Sequence, residues 1–379
     1  LPLLHIHTER EIRDEPKVLS WMELINTDRE AYEGYAGIEI RGRSSADFEK
    51  TSYGLELWKN WHRDDISLPL LDMRPGEDWI LDAMYVDPLR MRNKVSFELW
   101  EKMWENEIES PFRTKNPGME SRYVELFINQ RYMGLYSLSE KLDEHLLHLA
   151  EEAAWSGEAL YKAFHWTGGA TAFTTYNSEP GNAMTWEGWE QIYPEHDYYW
   201  EPLAELRKSV VYDPDELFME LIDSLLNLDV AAEYYLFVNL IMAHDNIIKN
   251  YFLTRYADAS NLLWLPWDLE GSWGISWDGT AGSHDEMLEN RLYKRLLELD
   301  VSGFNEVLGS KWEHYRAGLF ELDSLAAPFI SYTDLLKRSG VLERENRRWP
   351  GVEIDPDPAL DYLLQWIPRR LEYLDQVFD

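Results

Sequence analysis

Residues 230–274 read VAAEYYLFVNLIMAHDNIIKNYFLTRYADASNLLWLPWDLEGSWG. Val230 to Ala243 is apolar on nearly every side, the mark of a buried helix, and Asp229 stands where its N-cap belongs. His244-Asp245 stops that helix. Two short runs, Asn250 to Tyr256 and Leu262 to Trp267, then read as a hairpin whose second strand ends in Asp268. Helix, loop, hairpin and acidic strand end, in that order, form the centre of the second half of an α+β chain.

The first half reads differently. Tyr35 to Arg43 (YAGIEIRGR) and Ser52 to Trp58 (SYGLELW) alternate apolar and polar residues, and Leu3 to Thr8 does so weakly, which predicts a small antiparallel sheet. Asp78 to Met84 is a further strand candidate. Asp87-Pro88 then looks like an N-cap with proline at the first helical position, opening a helix to about Glu107. Tyr123 to Asn129 and Gly134 to Glu140 flank a turn and read as a hairpin. We therefore expect a sheet-rich N-terminal lobe with one helix over residues 1–143 and a mainly helical C-terminal lobe over 144–379. Within the latter, 143–155 reads as helix and 160–200 as a long aromatic, Gly-rich and Asn-rich loop or lid. The chain is helical from Pro214, and 284–379 is mostly helix with a proline-rich break at 350–358.

Composition narrows the function. A formal net charge of −34 opposes the phosphate backbone of DNA or RNA and argues equally against anionic membranes. With 45% hydrophobic residues and 18 Trp, the chain carries far more apolar area than a disordered acidic tail. The absence of cysteine excludes disulfides, thiolate metal sites and cysteine nucleophiles. No apolar run spans a bilayer. The Leu1-Pro2 start has no basic region followed by an apolar stretch, so we expect a chain without its signal peptide. Only 13 of the 36 basic residues are lysine, a balance that suits a saline or extracellular setting as well as an ordinary acidic protein.

The chemistry concentrates in HDNIIKN (244–250) and PWDLEGSWG (266–274). Asp245 and Asn250 lie five apart in a loop, and Asp268 ends the strand that returns beside them. Phosphoryl transfer uses this equipment: one carboxylate to orient the attacking hydroxyl, then a carboxamide and a second carboxylate to hold metal against the phosphates. Hard oxygen donors suit Mg²⁺, and Asn250, Asp268 and Glu270 supply them. A plainer reading stands beside this one, in which Asp245 and Asn246 only terminate the helix and Asp268 caps a turn into Gly271. In the first half, IEIRGRSSADFEKTSYGLE (38–56) offers Arg41, Arg43 and Lys50 as phosphate-binding cations. The alternative for the arginines is cross-strand pairing with Glu39 or Glu56. Glu98 has two candidate partners, Lys50 or, at i,i−4, Lys94. Trp155, Trp166, Trp186, Trp189 and Trp200 could stack on sugar rings or pack a core. There is no H-E-x-x-H, G-x-S-x-G or Walker A motif.

These segments resemble the CotH kinase family, named for a bacterial spore coat protein. The opening LPLLHIHT resembles its first strand, IEIRGRSSADFEKTSYGLE its arginine-glycine-serine segment and Phe-x-Lys-x-Ser-Tyr strand, MRNKVSFELW its Arg-Asn helix, and RYVELFINQRYMGLYSLSEKLD its hairpin ending in Glu-Lys. AHDNIIKNYFL and LPWDLEGSWG resemble its catalytic and metal segments, and NRLYKRLLE, KWEHYR, ENRRWP and WIPRRLEYLD its helical end. The resemblance implies a two-lobed, protein-kinase-like fold that binds ATP with Mg²⁺ or Mn²⁺ between its lobes and phosphorylates proteins in secreted, periplasmic or cell-surface settings. It implies Asp245 as catalytic acid, Asn250 and Asp268 as metal ligands, Lys50 as the lysine before Ser-Tyr, and Arg92-Asn93 as the helix signature. Glu49 and Thr51 depart from the usual neighbours of that lysine, and no multi-glycine phosphate loop is visible. A non-catalytic pseudokinase, binding polysaccharide or a partner protein, is the alternative. For so acidic a chain, nucleotide binding is expected to depend strongly on divalent metal.

Overall fold

The computed structural model describes residues 1–26, 29–42, 48–107, 118–149, 157–257, 261–351 and 354–378. It divides into two compact units. The first comprises 1–101, 118–142 and 327–362, the second 102–117, 143–326 and 363–379.

The first unit is built on β1 (Leu3–His7), β2 (Val18–Asn26), β3 (Arg29–Arg41), β4 (Ser52–Trp58), β5 (Asp78–Asp82), β6 (Ser121–Ile128) and β7 (Arg131–Glu140). They close into a barrel in the order β1-β2-β3-β4-β5-β7-β6. Alternation explains its filling. Leu4, Ile6, Met22, Leu24, Ile38, Leu55, Leu57, Leu81, Val124, Leu126 and Leu138 turn inward and are at most 2% exposed. Each such side chain contributes about 1.5–3 kcal/mol. The alternation predicts strands but not closure, which comes from β1 running parallel to β6, with Leu3 opposite Glu125. That long-range pairing removes both sheet edges.

The α1 helix (Arg92–Glu107) starts later than the Asp87-Pro88 signal suggests. Arg90 takes a left-handed φ of 59°, which no helix interior tolerates. Asp87 still satisfies the free amides of the helix entrance: its Oδ2 accepts from Met91 N and Arg92 N, each at 2.7 Å, and its carboxylate pairs with the Arg92 guanidinium.

Asp65, beyond β4, folds back on that strand through the bridge with Trp58 and forms a carboxyl pair with Glu56. Burial and a hydrogen bond to Glu56, with Glu77 and Asp78 adding repulsion, lift the Asp65 pKa to about 6. The unfolded carboxyl ionises near pH 4, so the folded state holds an extra proton between about pH 4 and 6. The stability this supplies is present below that window and lost as pH rises through it. Asp65→Asn, which cannot ionise, is expected to stabilise the protein at pH 7 by about 0.5–1 kcal/mol, reduced by solvent screening, and to change nothing at pH 4. Urea titrations at the two pH values measure it, and an equal effect at both would show that no shared proton is involved.

The helices of the remaining chain are α2 (Glu201–Tyr212), α3 (Asp215–Leu225), α4 (Leu228–Ile241), α5 (Arg291–Glu298), α6 (Phe304–Arg316), α7 (Leu322–Ser339), α8 (Val341–Arg348) and α9 (Pro356–Phe378). Among the described residues no helix is long and apolar enough to cross a membrane. The predicted buried helix is α4, but its N-cap is Asn227, whose side chain accepts from Val230 N, rather than Asp229. The second unit also holds β8 (Ala159–Ala163), β9 (Thr185–Trp186), β10 (Trp189–Tyr193), β11 (Tyr251–Arg255) and β12 (Leu263–Pro266), joined as β12-β11-β8-β10-β9. Residues 160–200, expected to be a loop or lid, thus give three of these strands. β8 lies between β10 and β11, and its run Leu-Tyr-Lys is too short for a visible period.

Candidate active site

In the second unit Asn250 meets Asp268, and Asp245 lies on the turn just before Asn250. His244–Ile247 forms one tight helical turn after α4. Asp245 carries an ion pair to Lys249, Oδ2 to Nζ 2.7 Å, a partner the sequence reading did not name although it lies at i+4. The chain then enters β11, with Asn250 N donating to Ala163 O at 2.7 Å. β12 returns antiparallel with Tyr251 opposite Pro266. That register brings Asn250 and Asp268 together, and the Asn250 amide donates to Asp268 Oδ2 at 3.2 Å. Both residues have left-handed backbone, φ 55° and 56°, a conformation Asn and Asp tolerate best after glycine.

Asp268 is exposed and Glu270 half-buried. Among the described residues no three His, Cys, Asp or Glu side chains gather as a metal-holding group, so Asp245, Asp268 and Glu270 form no all-protein cage. A carboxamide beside one exposed carboxylate fits Mg²⁺, which retains waters and takes one or two carboxylates plus substrate phosphates. The loop beyond is held tightly. Trp273 N donates to Ile241 O at 2.6 Å, and a Cβ at Gly271 would lie 2.8 Å from Trp277 N, so only glycine fits there. Farther on, Arg370 of α9 donates to Asn239 O, His284 O and Glu286 O, fixing the segment that follows the acidic residues.

Lys50, in the first unit, has a different setting from the one its sequence position suggested. Its side chain is fully buried, and it donates to Ala83 O at 3.0 Å, to Leu135 O and to Glu345 Oε1 at 2.6 Å. All three N–H groups of the ammonium are thereby used. Burial, with Arg90 nearby, lowers its pKa to about 8 against the pull of Glu345. Glu345 Oε2 accepts from Leu135 N at 2.8 Å, and a Cβ at Gly134 would overlap that oxygen. Gly134, at φ 113°, is therefore required twice over.

The carboxylate paired with Lys50 is thus Glu345 of α8, and Glu98 is not its partner. Glu98 takes its local option instead, 2.9 Å from Lys94, and accepts from Tyr332 OH at 2.5 Å. A helix facing a strand is easily imagined from sequence, whereas a partner 295 residues away gives no local signal. Arg41 ends β3 opposite Ser52. Arg43 lies outside the described residues, as does Trp155. Of the other tryptophans, Trp186, Trp189 and Trp200 are buried and only Trp166 is exposed, so core packing is what most of this stretch provides.

The CotH kinase protein model matches residues 38–374, which include Lys50, Glu98, Asp245, Asn250, Asp268 and Glu270. The inner spore coat protein H of Bacillus subtilis (strain 168) is 23% identical over 355 residues, covering 89% of this chain and 85% of that protein. A family model that matches most of the chain leaves one conclusion: the chain belongs to the CotH kinase protein family.

Proposed function

We propose that this protein is an ATP-dependent phosphotransferase acting on protein hydroxyl groups. The observation that carries the reading is the contact of Asn250 with Asp268 beside the loop that holds Asp245, in a chain of this family. Asp245 orients the acceptor hydroxyl and takes up its proton. Lys249, paired with Asp245, offers a cation on the same loop for the phosphate oxygens. Asn250 and Asp268 are the ligands for Mg²⁺ or Mn²⁺, with Glu270 as an outer carboxylate. The metal supplies neutralisation of phosphate charge that an acidic chain cannot provide from its side chains alone. The B. subtilis relative is a spore coat protein, which supports a surface-associated or extracellular setting, to which the acidic, lysine-poor composition is suited.

Incubation of the purified chain with labelled ATP tests the reading. Incorporation into the chain itself or an added protein acceptor is expected with Mg²⁺ or Mn²⁺ and should vanish with EDTA. A thermal shift with glycans, but none with ATP and metal, would instead support a non-catalytic binding module.

A further inference from the structure

We propose that Asn246 is the positioning residue that fixes Asn250 and Asp268 in metal-binding geometry. The inference rests on the metal-binding reading above and asks what holds those two side chains in place.

Asn246 is 1% exposed. Its Nδ2 donates to Asn250 O at 2.8 Å and to Trp267 O at 2.6 Å. One N–H therefore reaches each chain segment: the carbonyl of one metal-binding residue, and the carbonyl just before the other. The two segments also share the bond from Trp267 N to Asn250 O, 3.2 Å, so the Asn250 carbonyl receives two donors. Asn246 is itself immobilised. Its N–H donates to Ala243 O at 3.0 Å, and the buried Tyr234 hydroxyl of α4 donates to its carbonyl at 2.7 Å. The carboxamide of this one buried residue thus links the segment entering β11 to the end of β12, while its main chain is tied to α4 through Tyr234.

Backbone conformation gives this link its purpose. Asn250 and Asp268 both have positive φ, and non-glycine residues keep that conformation where their surroundings over-determine it. The carbonyl of Asn250 and the peptide entering Asp268 are the groups that Asn246 holds. Few side chains can replace it. Bridging two carbonyl oxygens needs two donors on one atom at short reach. Aspartate would set oxygen against oxygen, serine has one donor, and glutamine is a methylene too long. Because Mg²⁺ and Mn²⁺ sites depend on ligand placement, loss of this support should weaken metal binding far more than a comparable loss of stability elsewhere.

Mn²⁺ titration followed by electron paramagnetic resonance, on the full chain, provides the test. Asn246→Asp and Asn246→Ala are expected to raise the Mn²⁺ dissociation constant about 10- to 100-fold, and Asn246→Ser, which keeps one donor, by less. Asn227→Ala is the control. It removes the α4 N-cap without touching either loop, and should bind Mn²⁺ as the unaltered protein does. Circular dichroism at the titration temperature identifies the variants that remain folded, and the serine variant retains the test if the others do not. Binding within twofold of the unaltered protein in folded Asn246 variants overturns the inference and leaves the metal site standing. Equal weakening in Asn227→Ala overturns it as well. If the unaltered protein binds no Mn²⁺, or binds it equally well as Asp268→Ala, the metal-binding reading falls and the inference with it.

Discussion

Asp268→Ala is expected to reduce ATP-dependent phosphorylation by roughly 10³-fold or more while leaving both units folded. Its carboxylate is exposed and accepts from the Asn250 amide at 3.2 Å, and truncation of an exposed side chain costs little stability. The left-handed backbone at this position makes Asp268→Asn the better shape control: asparagine tolerates that conformation but brings no charge to the metal. Asp245→Asn should also lose transfer, yet retain Mn²⁺, because Asp245 faces the acceptor hydroxyl in this mechanism and not the metal. Label incorporation and Mn²⁺ titration on the same preparations separate these roles. Wild-type transfer by folded Asp268→Ala would eliminate the mechanism, and loss of metal in Asp245→Asn would reassign that residue.

The parts of the site that follow local chain order could be read from the sequence. A buried helix, a stop, a short hairpin and an acidic end sufficed to bring Asn250 and Asp268 together, because a two-strand hairpin fixes its own register. Asn246 went unassigned because helix termination was an adequate explanation for it, and its bonds to Asn250 O and Trp267 O depend on how tightly the hairpin closes. The barrel and the partner of Lys50 were illegible for a different reason. Both rest on pairings between distant segments, β1 with β6 and Lys50 with Glu345, and neither leaves a periodic trace. The stretch 160–200 misled because its strands are short and its tryptophans are mostly core, so aromatic density resembled a binding loop.

Glu345→Ala is expected to destabilise the protein by about 3–5 kcal/mol, the usual consequence of leaving a buried charge without its partner. Two groups lose an acceptor, the Lys50 ammonium and Leu135 N, and the Arg90 guanidinium, 3.6 Å from Glu345 Oε1, loses an ion-pair partner. Neighbouring bonds also anchor the end of α8 on β7: Arg348 donates to Tyr132 O and Trp349 to Met133 O, just before Gly134. Glu345→Gln, which keeps an acceptor for Leu135 N, should lose less. Lys50→Met combined with Glu345→Gln should be more stable than Glu345→Ala alone, because the orphaned ammonium is gone, and a double-mutant cycle should show coupling of about 1–3 kcal/mol. Urea unfolding followed by tryptophan fluorescence measures all of these. A loss below about 1 kcal/mol for Glu345→Ala would mean that the ammonium finds water or another acceptor easily, and would return Lys50 to consideration as a phosphate cation. The same variants address that point directly. With all its donors used inside the first unit, Lys50 should leave the KM for ATP within about twofold when replaced by methionine and assayed well below the melting temperature, whereas a lysine that grips phosphate would raise it about tenfold or more.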